Sequence, residues 1–498
     1  MKSFKMCQVA ASFVFSFTAM AAIPSVAAQN PLSNAARFTP ADLRADFTAM
    51  YESLQSATFD LFAFTKRPEL DRAFNKIRGG LTKPMTLLQA QIRFQEFAAL
   101  IHMGHARVDS PAIAWTQYLE RGGRAFPLAL RIVNGRTFIA QNRSGVESIA
   151  RGDEIMKLNE TSMPEWLRRA ERHVSAETPY MAHSLMEFDF PIYLWVEAGT
   201  AANFELVVRK GNGKTQTLSL PARTEAEMKA YAATQPPSLD LEHPLREAKI
   251  LPDNIGYLRP GPFYNAEAKT GAEAWDVSGF QEFIDDAFAR FVAAEAQRLV
   301  IDLRGNPGGD NLFSDIMVAW FADKPFRFFS QFKVRVSPES IKANADRIAH
   351  DAAAAGAVSR QYAEMYAKAK PGEIVHFEMP LVPPREGDRY RGQVFLLIDR
   401  QSYSNAVAVA ALVQDYKFGL ILGEETSDMA TTYGAMEKFK LPNTGLTIGY
   451  PKAHIVRPNG DLHSRGVVPD IAIAIPTVET PADEVLQRAV AIARDTSK

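Results

Sequence analysis

Asp302-Leu-Arg-Gly-Asn-Pro-Gly-Gly-Asp310 is the stretch on which the architecture turns. It continues Arg298-Leu-Val-Ile301, an apolar run with the length of a buried strand, and it precedes a helix predicted from about Asn311. A Gly-rich turn between a buried strand and a helix belongs to a parallel sheet covered by helices. The same grammar recurs. Val394-Phe-Leu-Leu-Ile398 is a second buried strand, followed by a helix from about Ser404 to Tyr416, and Gly419-Leu-Ile-Leu422 is a third. Asn254–Arg259 predicts one more strand and Val277–Ala294 an amphipathic helix. Residues 245–480 therefore read as an α/β domain, with the charged, Ala-rich Val334–Pro371 predicted helical inside it.

Upstream the patterning changes. Residues 39–103 carry apolar positions at helical spacing, starting at Thr39-Pro40, a cap residue followed by Pro at the first helical position. A second helix is predicted from about Thr86 to Met103, broken by Gly104. This gives a helical N-terminal region, 29–115. Residues 123–222 are β-rich, with Phe126–Val133 partly alternating and Asn134-Gly135 as a hairpin signal. A helical stretch near Met163–His173 and a loop near Pro179–Pro191 interrupt them. Within this part, Ile149-Ala-Arg-Gly-Asp-Glu-Ile-Met-Lys-Leu-Asn159 resembles the PDZ-domain segment in which a Gly-Asp turn leads into a strand. The expectation is an elaborated PDZ-like domain.

The first residues belong to targeting rather than fold. Lys2 and Lys5 precede an apolar stretch that ends in Ser25-Val-Ala-Ala28, the pattern of a signal peptide cut after Ala28. The single cysteine, Cys7, lies inside it. After cleavage the chain has no thiol, which excludes disulfides, Cys-ligated zinc and a Cys nucleophile. A periplasmic or secreted protein is expected, without stable membrane insertion once the signal is removed. With 498 residues, 56 Lys+Arg against 57 Asp+Glu and a net charge of −1, the chain gives no electrostatic case for nucleic acid.

In α/β sheets, active sites gather in the loops at the carboxyl ends of strands. Two such loops are unusual. In Gly308-Gly309 the backbone can approach a ligand closely and present amides at a helix N-terminus, which suits an oxyanion hole. No Lys-Ser/Thr pair follows, against a phosphate-binding P-loop. In Asp399-Arg-Gln-Ser-Tyr-Ser-Asn-Ala406, a serine at a strand-to-helix turn follows the logic of a nucleophile elbow. Ser402 and Ser404 both qualify, and either equally suits a helix cap.

Taken together, Asp302–Gly309, Ser402-Tyr-Ser-Asn-Ala406, Gln414-Asp-Tyr416, Gly423-Glu-Glu-Thr426 and Gly466-Val-Val-Pro-Asp470 resemble the C-terminal-processing (tail-specific) serine peptidases. The resemblance implies a crotonase/ClpP-like core, endopeptidase activity on peptide or protein substrates, and Ser404 rather than Ser402 as nucleophile. It implies no metal and no organic cofactor, and leaves an oligomer open. The chain departs from the familiar pattern at one point: where those members carry a catalytic lysine it has Met429, with no lysine between Lys417 and Lys438. A base must come from elsewhere. His105, in Leu100-Ile-His-Met-Gly-His-Ala-Arg-Val108, resembles the histidine motif of the tricorn-like branch. His102 precedes it by three residues, a spacing that by itself also suits metal, but no third ligand is placed. Asp461, beside His463, is the expected orienting acid, with Glu424 and Glu425 as alternatives. Lys452 is expected on the surface. Gly308, Gly309 and Asn405 are the expected oxyanion donors. Two other classes stay open: a non-catalytic protein binding peptides or apolar ligands, and a non-peptidase serine hydrolase.

Overall fold

The structure is a computed structural model and describes residues 36–235, 246–269, 273–350, 356–477 and 482–496. The expected signal segment, with Cys7, lies outside the described residues.

The N-terminal region holds α1 (Pro40–Ala57), α2 (Arg67–Gly80) and α3 (Leu87–Ala99). Capping boxes at Thr39 with Asp42 and at Thr86 with Gln89 start α1 and α3, satisfying amides that the first turn leaves unpaired. The helices enclose Phe47, Phe94 and Phe97, and their core continues into Leu441, Leu446, Ile448 and Tyr450 of the C-terminal part. Buried Asp46 on α1 accepts the backbone N–H groups of Asn443 and Thr444. The helical region is thus fused to the far domain rather than free of it. After α3 the chain passes His102, whose φ is +57°, and Gly104, into the short β1 (Arg107–Val108).

The β-rich part contains β2 (Leu128–Val133), β3 (Arg136–Asn142), β4 (Glu154–Leu158), α4 (Met163–Glu171), α5 (Pro179–Ala198), β5 (Asn203–Arg209) and β6 (Thr215–Pro221). The strands form one antiparallel sheet in the order β2-β3-β4-β5-β6, so β2 is an edge. The expected loop near Pro179–Pro191 is instead the first two-thirds of α5. Thr178 caps it, with Pro179 at the first position, where a missing N–H costs nothing. Internal Pro191 and the aromatic run around it hid that start.

The C-terminal part begins with β7 (Glu247–Leu251) and β8 (Ile255–Arg259), then α6 (Ser278–Ala293), β9 (Arg298–Asp302), α7 (Asn311–Ala319), β10 (Gln331–Arg335), α8 (Pro338–His350), α9 (Gly356–Ala367) and β11 (Ile374–His376). It continues with β12 (Gln393–Ile398), α10 (Asn405–Tyr416), β13 (Leu420–Gly423), β14 (Thr432–Lys440), β15 (Thr447–Val456), β16 (Ile471–Ala472) and α11 (Glu484–Asp495). The six-stranded sheet β7-β8-β9-β12-β13-β16 is parallel from β8 onward. That is the expected α/β class. Its inner strands are apolar on both faces because helices cover both: α6, α7 and α10 pack on one side, α11 on the other. A second, antiparallel sheet orders β11-β10-β15-β14, and β1 adds to β15 by pairing Val108 with Ile448. This last pairing carries residues near 105 across to the carboxyl ends of the parallel strands.

Candidate active site

The turn that carries Ser402 and Ser404 is built by a carboxylate. Oδ1 of buried Asp399, just after β12, accepts the N–H groups of Gly305 (3.1 Å), Gln401 (3.0 Å) and Ser402 (2.9 Å). The Ser402 hydroxyl is fully buried and donates to the Leu303 carbonyl at 2.7 Å. Ser402 is a tie between two loops. Ser404 is different. Its φ is +53° and ψ −119°, a backbone that costs a non-glycine residue on the order of 1–3 kcal/mol. Its N–H donates to Asp428 Oδ2 at 2.6 Å, which holds that geometry. Its side chain makes no capping bond to α10, so the hydroxyl is not spent on the helix it precedes.

The Gly-rich loop faces this turn. Asn306 Nδ2 donates to the Gly261 carbonyl (2.7 Å), Asn306 Oδ1 accepts the Gly308 N–H (2.9 Å), and the Asn306 carbonyl accepts the Tyr403 N–H (2.9 Å). Gly308 has φ +83°, and a Cβ there would lie 2.6 Å from the Asn405 nitrogen and 2.9 Å from the Ser404 Cβ. Gly309, at φ +139°, rests against the Phe263 carbonyl. One expected oxyanion donor is therefore corrected: the Gly308 N–H already serves Asn306. The N–H groups of Gly309 and Asn405 have no acceptor among the described residues. Gly308→Ala is expected to lower kcat by on the order of 100-fold, because backbone rather than a flexible side chain must yield. Steady-state kinetics beside a far-UV CD spectrum of the variant checks this.

His105 comes to the same place from the N-terminal region. It is buried, and its ring stacks on Tyr403, the residue before Ser404, with centroids 5.6 Å apart. Its Nδ1 has no hydrogen-bond partner among the described residues. Burial pulls its pKa below the usual 6.5, Asp428 acts in the opposite direction, and nearby Arg107 reinforces the lowering. The imidazole is thus neutral near pH 7, the form a base needs.

Asp428 is the acid that sequence reading passed over. It is 1% exposed, its Oδ2 holds the Ser404 N–H, its Oδ1 accepts the Met429 N–H at 2.8 Å, and its charge acts on His105. In the sequence it is marked only by its place next to Met429, where the familiar members carry the lysine. The expected acid, Asp461, sits in a surface turn, where its Oδ1 takes the His463 N–H (3.1 Å) and ring Nδ1 (2.6 Å). It is committed to His463, not to His105. Glu424 is bound to Arg400 and Arg131. Lys452, expected on the surface, is buried: its ammonium pairs with Glu437 at 2.8 Å over the Tyr362 ring. His102 is exposed, and no cluster of three or more His, Cys, Asp or Glu side chains with metal-holding geometry exists among the described residues.

The remaining motif residues are scaffold. Arg304 is sandwiched between Asp302 and Asp483, tying the Gly-rich loop to the start of α11. Asp415 receives both Arg457 and Asn459, and Gln414 reaches Asp470. These contacts bring the late loop back to α10.

Residues 254–473 match the family model described as Peptidase family S41. The C-terminal part of the chain is therefore similar to peptidase family S41. The chain is a serine-type peptidase. Among solved structures it is similar to mature CPAF complexed with lactacystin, at 15% identity and TM-score 0.62, covering 91% of this chain and 96% of that one. It is also similar to mature CPAF alone, at 16% identity and TM-score 0.60, over 88% and 94%. At such identity the likeness is one of fold.

Proposed function

We propose that this chain is an exported serine endopeptidase in which Ser404 is the nucleophile and His105 its base. The observation that carries the reading is the meeting at Asp428: one buried carboxylate takes the Ser404 N–H and places its charge beside the His105 ring. Ser404 Oγ attacks the scissile carbonyl carbon while its proton passes to the imidazole. The carbonyl oxygen becomes an oxyanion held by the N–H groups of Gly309 and Asn405. The imidazolium then gives its proton to the leaving amine as the C–N bond breaks. Water, activated by His105, hydrolyses the acyl-enzyme and frees Ser404. Asp428 stabilises the transient imidazolium and fixes the nucleophile turn. In this reading Asp428 replaces Asp461.

The finer architectural reading is a crotonase/ClpP-like catalytic core and a PDZ-like β-domain. It is supported by the parallel sheet with its Gly-rich turns and by the Ile149–Asn159 segment. Capture of a substrate terminus by strand addition would use one of the sheet's two edges, that of β6 or that of β2. At Ile132 that edge is closed, since its N–H goes to Glu187 and its carbonyl accepts Arg400. A periplasmic or secreted location rests on the first 28 residues alone.

A peptide library incubated with the wild-type chain and with His105→Ala tests the function. Cleavage by the former and none by the latter is expected; equal cleavage would remove His105 from the mechanism. The pH dependence has a sign. Because the folded pKa of His105 lies below 6.5, kcat/KM should hold through pH 7 and fall only on acidification below 6.5. Stability follows the same direction, since an imidazole kept neutral by burial favours folding above pH 6.5 and loses that contribution as pH drops. Asp428→Asn removes a charge that favours the imidazolium, so the acidic limb should move to lower pH while kcat falls. A limb that stays in place would remove the Asp428–His105 coupling.

A further inference from the structure

The turn bearing His105 is fastened by a loop of the β-rich part, between α4 and α5. Ser175 Oγ donates to the Met103 carbonyl (2.7 Å) and accepts the Met103 N–H (3.1 Å). Both carboxyl oxygens of Glu177 lie 3.1 Å from the Gly104 nitrogen and share its N–H. A Cβ on Gly104 would sit 2.9 Å from the Tyr403 hydroxyl and 3.4 Å from Glu177 Oε2, so hydroxyl and carboxyl share one side of that turn. The Tyr403 hydroxyl is buried without a partner among the described residues. Tyr403 is also the ring on which His105 stacks. Glu177 thus stands where the base's turn meets the nucleophile's.

We propose that Glu177 is a positioning residue for His105, fastening the turn of the base against the nucleophile loop and, when it ionises, adding a second negative charge beside the imidazole. This rests on Ser404 and His105 acting as nucleophile and base. The groups facing Glu177 are Asp428, the Tyr403 hydroxyl and the Gly104 N–H; Arg107 is the nearby cation acting on His105 and Tyr403. Burial and the charge of Asp428 push the Glu177 carboxyl up to about 8. At neutral pH it carries a proton, so one carboxylate, Asp428, faces the ring. Above pH 8 Glu177 adds its own charge on the turn that carries His105, and a transient imidazolium is stabilised further. The same shift has a stability sign: a carboxyl whose folded pKa is raised contributes least once pH passes 8, so Glu177→Gln gains on the wild type as pH climbs from about 4.5 toward 8.

The test is the rate constant for labelling Ser404 with a fluorophosphonate, followed from pH 5 to 10 in the wild type and in Glu177→Gln, which keeps an acceptor for the Gly104 N–H. The wild type should rise in two limbs, one below pH 6.5 from His105 and a second near pH 8 of about threefold or more. The variant should keep the first limb and lose the second. A second limb that persists in Glu177→Gln, or a single limb in the wild type, would overturn the proposal while labelling at Ser404 upheld the site. No labelling at Ser404 would instead overturn the site reading itself. The wild-type profile decides the matter should the variant fail to fold.

Discussion

Ser404→Ala should lower kcat for peptide hydrolysis by on the order of 10⁵-fold while the protein stays folded. The size follows from what the hydroxyl does. It makes no bond to the helix it precedes, and the strained turn around it is held by its backbone N–H on Asp428, which alanine keeps. Only the attacking atom is lost. What survives is the stabilisation a bound carbonyl receives from the amides of Gly309 and Asn405, worth a residual acceleration over water. The neighbouring substitution behaves oppositely. Ser402 is fully buried and bonded to the Leu303 carbonyl, so Ser402→Ala should cost about 1–2 kcal/mol of stability with a smaller loss of kcat. Progress curves and thermal melts of the two variants separate these roles.

Arg400→Met should destabilise the fold by about 3 kcal/mol or more. Arg400 belongs to a buried ionic group: its guanidinium meets Glu187 at 3.1 Å and Glu424 at 3.1 Å, while Arg131 meets the same two carboxylates at 3.1 and 3.0 Å. Two cations balance two anions with little exposure. Removing one cation leaves Glu187, whose side chain is 2% exposed, with half its compensation, and leaves the Ile132 carbonyl without a donor. Arg400 also sits in the nucleophile loop, and its own carbonyl accepts the hydroxyls of Ser184 and Ser427. The loss should therefore reach catalysis, lowering kcat more than it raises KM. Urea unfolding followed by CD gives the stability change. A cost below about 1 kcal/mol would mean the group is relieved by water.

Much of the catalytic sheet was legible because buried parallel strands announce themselves by uninterrupted apolar runs between Gly-rich turns. Arg298–Asp302, Gln393–Ile398 and Leu420–Gly423 all appear where the runs predict, and the turns after the first two lead into the expected helices. Pro179–Ala198 was misread because a proline at the first helical position and another in the interior look like loop punctuation when the Thr178 cap is overlooked. The site divided along similar lines. Ser404 and His105 stood out by the chemistry of their neighbours. The acids did not, since a carboxylate is common and only its burial and partners tell its role. Asp461 attracted notice beside a histidine and proved to hold that surface histidine, whereas Asp428 and Glu177 are marked only by the contacts that tertiary structure gives them. Lys452 illustrates the converse: nothing local shows that Glu437, fifteen residues earlier, will lie across the hairpin to receive it.

The most direct test is fluorophosphonate labelling of the full chain, mapped by peptide mass spectrometry, with wild type, Ser404→Ala and His105→Ala in parallel at pH 7.5. The account predicts one label on Ser404 in the wild type, none in Ser404→Ala, and a rate lowered at least 100-fold in folded His105→Ala. Labelling at another serine, or at Ser404 with an undiminished rate in His105→Ala, would contradict it.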